Sequence, residues 1–129
     1  MLPCVRPPWG KLVAVDLGSG RILWQRPVGT VADLLPVHVL WELGTPNLGG
    51  PLVTAGGLAF LGAALDDYLR AFDLETGDEL WRGRLPAGGQ ATPMSYEADG
   101  RQFVVIAAGG HERMGKPQGD SLVAFALPR

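Results

Sequence analysis

The residues Ala14-Val15-Asp16-Leu17-Gly18-Ser19-Gly20-Arg21-Ile22-Leu23-Trp24 recur, at one constant offset, as Ala71-Phe72-Asp73-Leu74-Glu75-Thr76-Gly77-Asp78-Glu79-Leu80-Trp81. Both segments read Ala-x-Asp-x-x-x-Gly-x-x-Leu-Trp. Each residue type in that pattern has a physical task. An aspartate at a strand end accepts hydrogen bonds from the N–H groups of the turn that follows. The glycine supplies the positive φ that such a turn needs. The tryptophan opens the next strand with a large flat ring that can pack between adjacent layers, while its N–H finds a partner. Asp16, Gly20 and Trp24, and again Asp73, Gly77 and Trp81, are therefore read as structural residues of one strand–turn–strand unit used twice. A third copy begins at Leu122-Val123-Ala124-Phe125-Ala126, with Ala126 at the aspartate position and no tryptophan after it.

The sequence around the repeat is β-type throughout. Strands are expected over 11–16 and 21–26, then over 52–55, 58–63, 68–73 and 79–85, and finally over 91–96, 102–108 and 121–126. Gly56-Gly57, Asp66-Asp67 and Glu75-Thr76-Gly77 separate the middle four, and turns of this composition make hairpins. Four strands in a meander are one propeller blade. The chain thus reads as all-β, a partial β-propeller of about two blades: 11–26 ends one blade, 51–85 is a complete blade, and 90–126 supplies three strands of the last. Repeat architectures need about three or more units to bury a continuous core. The reading is therefore of a fragment, expected to be weakly stable alone or to associate through its open sheet edges. An independent small β-sheet protein is the alternative.

Composition agrees with an ordered β chain. Of its 129 residues, 47% are hydrophobic and only 19% charged, which suffices for a core and argues against disorder. The 19 glycines and 11 prolines are scattered between apolar runs, as turn punctuation is. A formal charge of −2 gives no electrostatic reason to expect nucleic acid. No apolar run is long enough for a membrane helix, and residues 1–10 lack the pattern of a signal peptide. Cys4 is the single cysteine and is read as a free thiol, the alternative being a partner in a part of the protein upstream.

The aspartate–glycine–tryptophan repeat resembles the tryptophan-docking motif of quinoprotein alcohol and glucose dehydrogenases. Further runs narrow the resemblance to the carboxyl-terminal part of the membrane-bound PQQ-dependent glucose, quinate and shikimate dehydrogenases. These are Leu2-Pro3-Cys4 with Pro8-Trp9-Gly10, Thr45-Pro46-Asn47-Leu48-Gly49-Gly50-Pro51, Thr54-Ala55-Gly56-Gly57, Leu85-Pro86-Ala87-Gly88-Gly89-Gln90-Ala91-Thr92-Pro93-Met94, Ala107-Ala108-Gly109-Gly110-His111, Gly119-Asp120 and Ala124-Phe125-Ala126-Leu127-Pro128. The resemblance covers nearly the whole chain. It implies an eight-bladed propeller with antiparallel four-stranded blades. It further implies PQQ on the axis with calcium or another divalent metal, oxidation of a sugar or cyclic polyol, and electron transfer to ubiquinone at the periplasmic face of the inner membrane. The catalytic aspartate and the metal ligands belong to earlier blades, so no catalytic or metal-ligating residue is assigned to this chain.

PQQ is flat and carries three carboxylates, so a protein must approach its face closely and offer donors to its rim. Glycine pairs permit that approach. Gly109-Gly110-His111 is expected to follow a strand and open a loop, where site residues concentrate. The resemblance places the histidine of this run near PQQ, which assigns His111 a positioning role. Gly49 and Gly50 are a second cofactor-facing candidate, with a simple turn before Pro51 as the alternative. Gln90, Thr92 and Pro93 are weaker candidates for the same mouth, and Arg113 and Lys116 are read as solvated loop charges. Trp41 is expected to pack in the core.

Other chemistry is not supported. The histidines and the cysteine lack zinc spacing. Asp66-Asp67 lacks the alternating oxygens of a calcium loop. Gly18-Ser19-Gly20 precedes no helix that could cradle phosphate, and there is no nucleophile elbow. Against the dehydrogenase reading stand a non-enzymatic scaffold built from PQQ-like repeats and an inactive truncated reading frame. The partners implied are the remaining blades of a parent enzyme.

Overall fold

The computed structural model describes residues 4–33 and 43–128. Trp41 and residues 1–3 of the amino-terminal run lie outside them. Regular structure in the described residues is antiparallel β, apart from one short 3-10 turn. Strands β1 (Lys11–Asp16) and β2 (Arg21–Pro27) form a first sheet. Strands β3 (Leu52–Val53), β4 (Leu58–Leu61), β5 (Tyr68–Asp73) and β6 (Glu79–Arg84) form a second, paired in chain order. Strands β7 (Met94–Ala98), β8 (Arg101–Gly110) and β9 (Gln118–Phe125) form a third.

Some strand bounds differ from those read in the sequence, for local reasons. Strand β3 stops at Val53 because Thr54 is already in the turn: its N–H donates to Leu58 O at 2.9 Å, and Gly57 N donates to Thr54 O at 3.1 Å. Strand β4 stops at Leu61, and Ala63 then takes a φ of 25°, which turns the chain out of the sheet. The seventh strand begins at Met94, since Thr92 is held in the loop, its Oγ1 accepting from Gly50 N at 3.1 Å. Gly109 and Gly110, expected to follow a strand and open a loop, are instead the last residues of β8. Strand β8 continues through Gly109 to Gly110, which pairs with Gln118 across an irregularity in the ladder.

The repeat reproduces its backbone in detail. In the first copy Asp16 Oδ1 accepts from Gly18 N at 2.9 Å and Oδ2 from Ser19 Oγ at 2.6 Å. In the second, Asp73 Oδ1 accepts from Glu75 N and Thr76 N, both at 2.8 Å. Gly20 and Gly77 close the two turns at φ 69° and 74°. Both strand pairs carry a register shift at the same place, between Ala14 and Val15 and between Ala71 and Phe72. That β-bulge re-aims the tryptophan, and Trp24 and Trp81 stand opposite Ala14 and Ala71.

The sheets meet through two core clusters. Val28 from the first sheet's side is buried with Ala59, Leu61, Ala63, Ala64 and Phe72, and Leu12 and Leu74 pack against this group. Leu69 and Leu85 are buried with Val104, Ile106 and Ala108 of the third sheet, supported by Phe60, Val123 and Phe125. At the rim of the first joint, Trp24 Nε1 donates to Leu74 O at 3.0 Å. Its ring covers Gly77 so closely that a Cβ there would lie 2.6 Å from ring carbons. Arg26 clamps the same turn, donating to Thr76 O at 3.1 Å and Asp78 Oδ1 at 3.0 Å. At the second joint Trp81 meets Phe125 edge-on, with ring centroids 5.0 Å apart.

Two outcomes follow. Gly77→Ala forces both a strained φ and a clash with Trp24, whereas Gly20→Ala, with nothing within 4 Å of the added carbon, meets only the strain. Urea midpoints should show about 1 kcal/mol lost at Gly20 and about 1–3 kcal/mol more at Gly77; equal losses would mean that the ring contact contributes nothing. The second outcome concerns acid. The Ser19 hydroxyl and Gly18 N–H hold Asp16 below the ordinary 3.8, and the Thr76 and Glu75 N–H groups do the same for Asp73. Depressed carboxylates contribute stability that is complete above the unfolded value and is lost as pH falls through the folded one. Stability should therefore decline below about pH 4, and Asp73→Asn should show a shallower decline over that window.

Candidate functional site

The loops at one end of the sheets gather most of the glycines and polar residues singled out in the sequence. Gly110 has a φ of 69°, and its N–H donates to Gly88 O at 2.9 Å. A side chain there would collide with the Pro117 carbonyl. Gly109, the exposed residue beside the ladder irregularity, has open space where a Cβ would stand. His111 follows in extended backbone at φ −154°, just before the 3-10 turn Glu112–Met114. That turn ends on Gly115 in the left-handed region, and Lys116 N returns to His111 O at 3.2 Å. The glycines thus pin the path of the strand exit, and the histidine leaves it in a fixed direction.

Gly88 is the meeting point. Its Cβ position lies 3.5 Å from Gln90 Nε2, 3.6 Å from Asp67 Oδ1 and 3.7 Å from Gly110 Cα. Gln90 Nε2 donates to Ala64 O at 2.7 Å, which leaves its Oε1 buried without a partner. His111 Nδ1 is likewise buried and unpartnered. Buried polar atoms are satisfied in more than about nine cases in ten; Asn47 Oδ1, Asp67 Oδ1 and Arg101 Nε lack a hydrogen bond as well, and His111 Nδ1 and Gln90 Oε1 are the two that lie on these adjoining loops.

Gly49 and Gly50 join the same neighbourhood by a different route. The close approach at Gly49 is to the main chain of Gln90, with Ala63 Cβ at 3.3 Å. Gly50 donates to the Thr92 hydroxyl. The structure therefore brings Gly49, Gly50, Gln90 and Thr92 together, and the glycines there serve loop-to-loop packing.

Charge at this end differs from the sequence reading in two places. Lys116 is not a solvated loop charge: it is 7% exposed, with Nζ 3.3 Å from Asp67 Oδ1. The loop 111–117 folds back over the sheet end and buries its stem. Arg113, in contrast, is exposed. Asp66-Asp67 is more than a hairpin turn. Asp66 is fully buried, its carboxylate facing Arg70 Nη1 at 2.8 Å and Nη2 at 2.6 Å and accepting from Thr30 N at 2.7 Å. Arg70, 2% exposed, also reaches Glu79 Oε2 at 3.3 Å. Nearby, Asp33 pairs with Arg84 through 3.0 and 3.1 Å contacts. Burial raises the Asp33 carboxyl, but the Arg84 hydrogen bond, the Asp67 N–H and the charges of Arg84 and Lys116 together outweigh it and hold the group below its ordinary value. The same bond raises the Arg84 guanidinium.

The buried Asp66–Arg70 pair, with Thr30, ties the connection after β2 to the strand exits that carry the site. One sequence signal pointed to it: an arginine placed on a strand whose neighbours are all apolar must find a carboxylate. No group of three His, Cys, Asp or Glu suited to a metal ion occurs among the described residues. No helix among them is long and apolar enough to cross a membrane.

A fold of docked antiparallel sheets with this turn-and-tryptophan joint defines the propeller class of PQQ enzymes, and the comparisons agree. Residues 1–104 match the family model "Glucose/ethanol/alcohol dehydrogenase, beta-propeller domain". The chain is 50% identical over 98% of its length to the quinoprotein glucose dehydrogenase of Escherichia coli (strain K12), of which it covers 16%. It is 52% identical over 97% of its length to the glycerol dehydrogenase large subunit of Gluconobacter thailandicus, covering 18% of that protein. The quinate/shikimate dehydrogenase (quinone) of Acinetobacter baylyi is 44% identical over 99% of the chain, which covers 16% of it. The quinohemoprotein alcohol dehydrogenase of Comamonas testosteroni superposes with a TM-score of 0.70 at 26% identity, over 96% of this chain and 17% of that one. The chain belongs to the PQQ-dependent dehydrogenase propeller family, and it spans about a sixth of the length of the curated relatives it matches.

Removing one member of the buried pair tests how far the site depends on it. Arg70→Met leaves the Asp66 carboxylate buried with only Thr30 as a partner, and should lower stability by about 3–5 kcal/mol. Urea unfolding of Arg70→Met against the double variant with Asp66→Asn measures it, and the second change should restore part of the loss.

Proposed function

We propose that this chain is the carboxyl-terminal part of a PQQ-dependent dehydrogenase that oxidises a sugar or cyclic polyol and passes the electrons to ubiquinone. We further infer that it supplies one wall of the cofactor pocket, formed by Gly109, Gly110 and His111 with Gln90 behind them. Gly49 and Gly50 stand one loop further back. The observation that carries this reading is the orphaned Nδ1 of His111 beside Gly109, whose Cβ position faces open space. A planar tricarboxylate needs both features, a side-chain-free surface for its face and a donor for its rim. His111 offers a ring nitrogen that can donate a hydrogen bond, and Gln90 sets the depth of the wall through its bond to Ala64 O. PQQ, when bound, supplies the two-electron acceptor. The protein's own residues here orient it and exclude water from one side.

The remaining assignments belong to the parent enzyme. The catalytic base and the ligands of calcium or another divalent metal are placed in the preceding blades, which also complete the pocket. The periplasmic face of the inner membrane is the proposed location, since ubiquinone is a membrane electron carrier. Glucose, glycerol and quinate are the substrates named for the relatives, and a polyhydroxylated ring or chain is the class they share.

The test is a transplant. These 129 residues replace the matching segment of the Escherichia coli quinoprotein glucose dehydrogenase, and PQQ-dependent glucose oxidation is followed with a dye acceptor. The chimera should turn over, and His111→Ala within it should weaken PQQ binding about tenfold, ~1.4 kcal/mol, with the fold intact. A folded chimera that binds PQQ normally without His111 would remove this residue from the cofactor wall. One that cannot bind PQQ at all would favour a non-enzymatic scaffold.

A further inference from the structure

His111 is held from both sides, by holds of different kinds. Upstream, Gly110 N donates to Gly88 O at 2.9 Å. Downstream, Lys116 N donates back to His111 O at 3.2 Å and closes the turn. Whatever fixes Lys116 therefore fixes the far side of the histidine. Among the described side chains of residues 111–117, that of Lys116 is the buried one. Glu112 stays with its own sheet, accepting from Gln118 Nε2 at 3.0 Å, and Arg113 is exposed. The Lys116 ammonium instead crosses to the loop between β4 and β5. Its Nζ lies 3.3 Å from Asp67 Oδ1 and 3.4 Å from Oδ2. Asp67 is itself anchored. Its N–H donates to Asp33 Oδ2 at 3.3 Å, and its carbonyl accepts from Leu85 N at 2.8 Å. Arg84 Nη2 lies 3.5 Å from Asp67 Oδ2 and pairs with Asp33 as well. Charges of alternating sign, Asp33, Arg84, Asp67 and Lys116, thus run from the connection after β2, across the second sheet, to the turn that follows β8.

We propose that Lys116 is a positioning residue for His111: its ion pair with Asp67 holds the turn 111–117 against the second sheet and so sets the direction in which the imidazole leaves the strand. The inference rests on the reading of His111 as part of the cofactor wall. A buried ammonium is costly unless it is paired, and an apolar side chain would hold a turn on a sheet without that cost. What the pair adds is one defined position for the turn, because Asp67 is fixed through its N–H, its carbonyl and its carboxylate together. Without the pair, the downstream side of His111 is tied only to the third sheet, through the ladder partners Gly110 and Gln118 and the bond from Gln118 to Glu112. Lys116 acts through the histidine and not on PQQ, since its charge already faces Asp67.

The experiment titrates PQQ into the apo form of the same chimera with the Escherichia coli quinoprotein glucose dehydrogenase, followed by tryptophan fluorescence. Lys116→Met and Asp67→Asn should each weaken PQQ binding about fivefold, less than His111→Ala does. Added to His111→Ala, either change should cost less than about a further twofold, because the group it aims is gone. Thermal unfolding of each apo variant reports whether the fold is kept. Asp67→Asn, which preserves the shape of its side chain, carries the test if Lys116→Met does not fold. Normal PQQ affinity in both folded variants, with His111→Ala still weakened, would overturn the proposal and leave the cofactor wall standing. So would losses that add in full to that of His111→Ala, which would mean that Lys116 meets PQQ itself. Normal affinity in His111→Ala would remove the cofactor wall, and this role of Lys116 with it.

Discussion

The ring of Trp24 lying on Gly77, with its Nε1 bonded to Leu74 O, is the contact on which the arrangement of sheets depends. It couples two local structures that would otherwise be independent. The Asp73 turn is made rigid by its own side chain, and the bulge opposite Ala14 aims the tryptophan at it. A turn of this kind can receive a flat ring only if glycine closes it, because any Cβ would occupy the ring's place. One residue thus meets two demands at once, a positive φ and a surface without a side chain. Gly83 meets the second demand alone: an added Cβ would lie within 3 Å of both Trp81 and Phe125.

Once the sheets are docked, their loop ends fall into one neighbourhood. The Asp66–Arg70 pair holds the loop between β4 and β5 against Thr30, and Gly62 and Gly89 bring β4 and the β6–β7 connection into contact around Ile106. Gly88 then receives Gly110 of the third sheet. His111 is therefore aimed by a chain of contacts reaching back to the first sheet. A buried ion pair adds little net stability compared with an apolar substitute, but it tolerates few alternative geometries. Its value here is in registering loops whose polar atoms must stand in set positions.

The relatives are named for glucose, glycerol and quinate, and the proposed cofactor wall is general to PQQ and not particular to one of these substrates. His111 and Gln90, which carry two of the unpartnered buried atoms, are both hydrogen-bonding side chains. The buried cation at this end, Lys116, is already paired with Asp67.

The sequence by itself determined the elements that are held by local chemistry. The Asp16 and Asp73 turns, β1, β5 and the tryptophan positions were legible because every bond that makes them lies within a few residues, and because the pattern occurs twice. His111, Gly109 and Gly110 were legible as a motif through the family resemblance, and the order of strands followed from turn spacing. Tertiary structure decided the rest. Lys116 looked solvated because its partner Asp67 is far along the chain, and Asp66 looked like turn punctuation until Arg70 and Thr30 closed around it. The glycines at 49 and 50 read equally well as cofactor-facing or as a turn, and only the Gln90 main chain and the Thr92 hydroxyl show what they pack against. The physical reason is the same in each case: burial and pairing between distant segments arise when the sheets dock, and no local pattern of residues encodes which partner arrives.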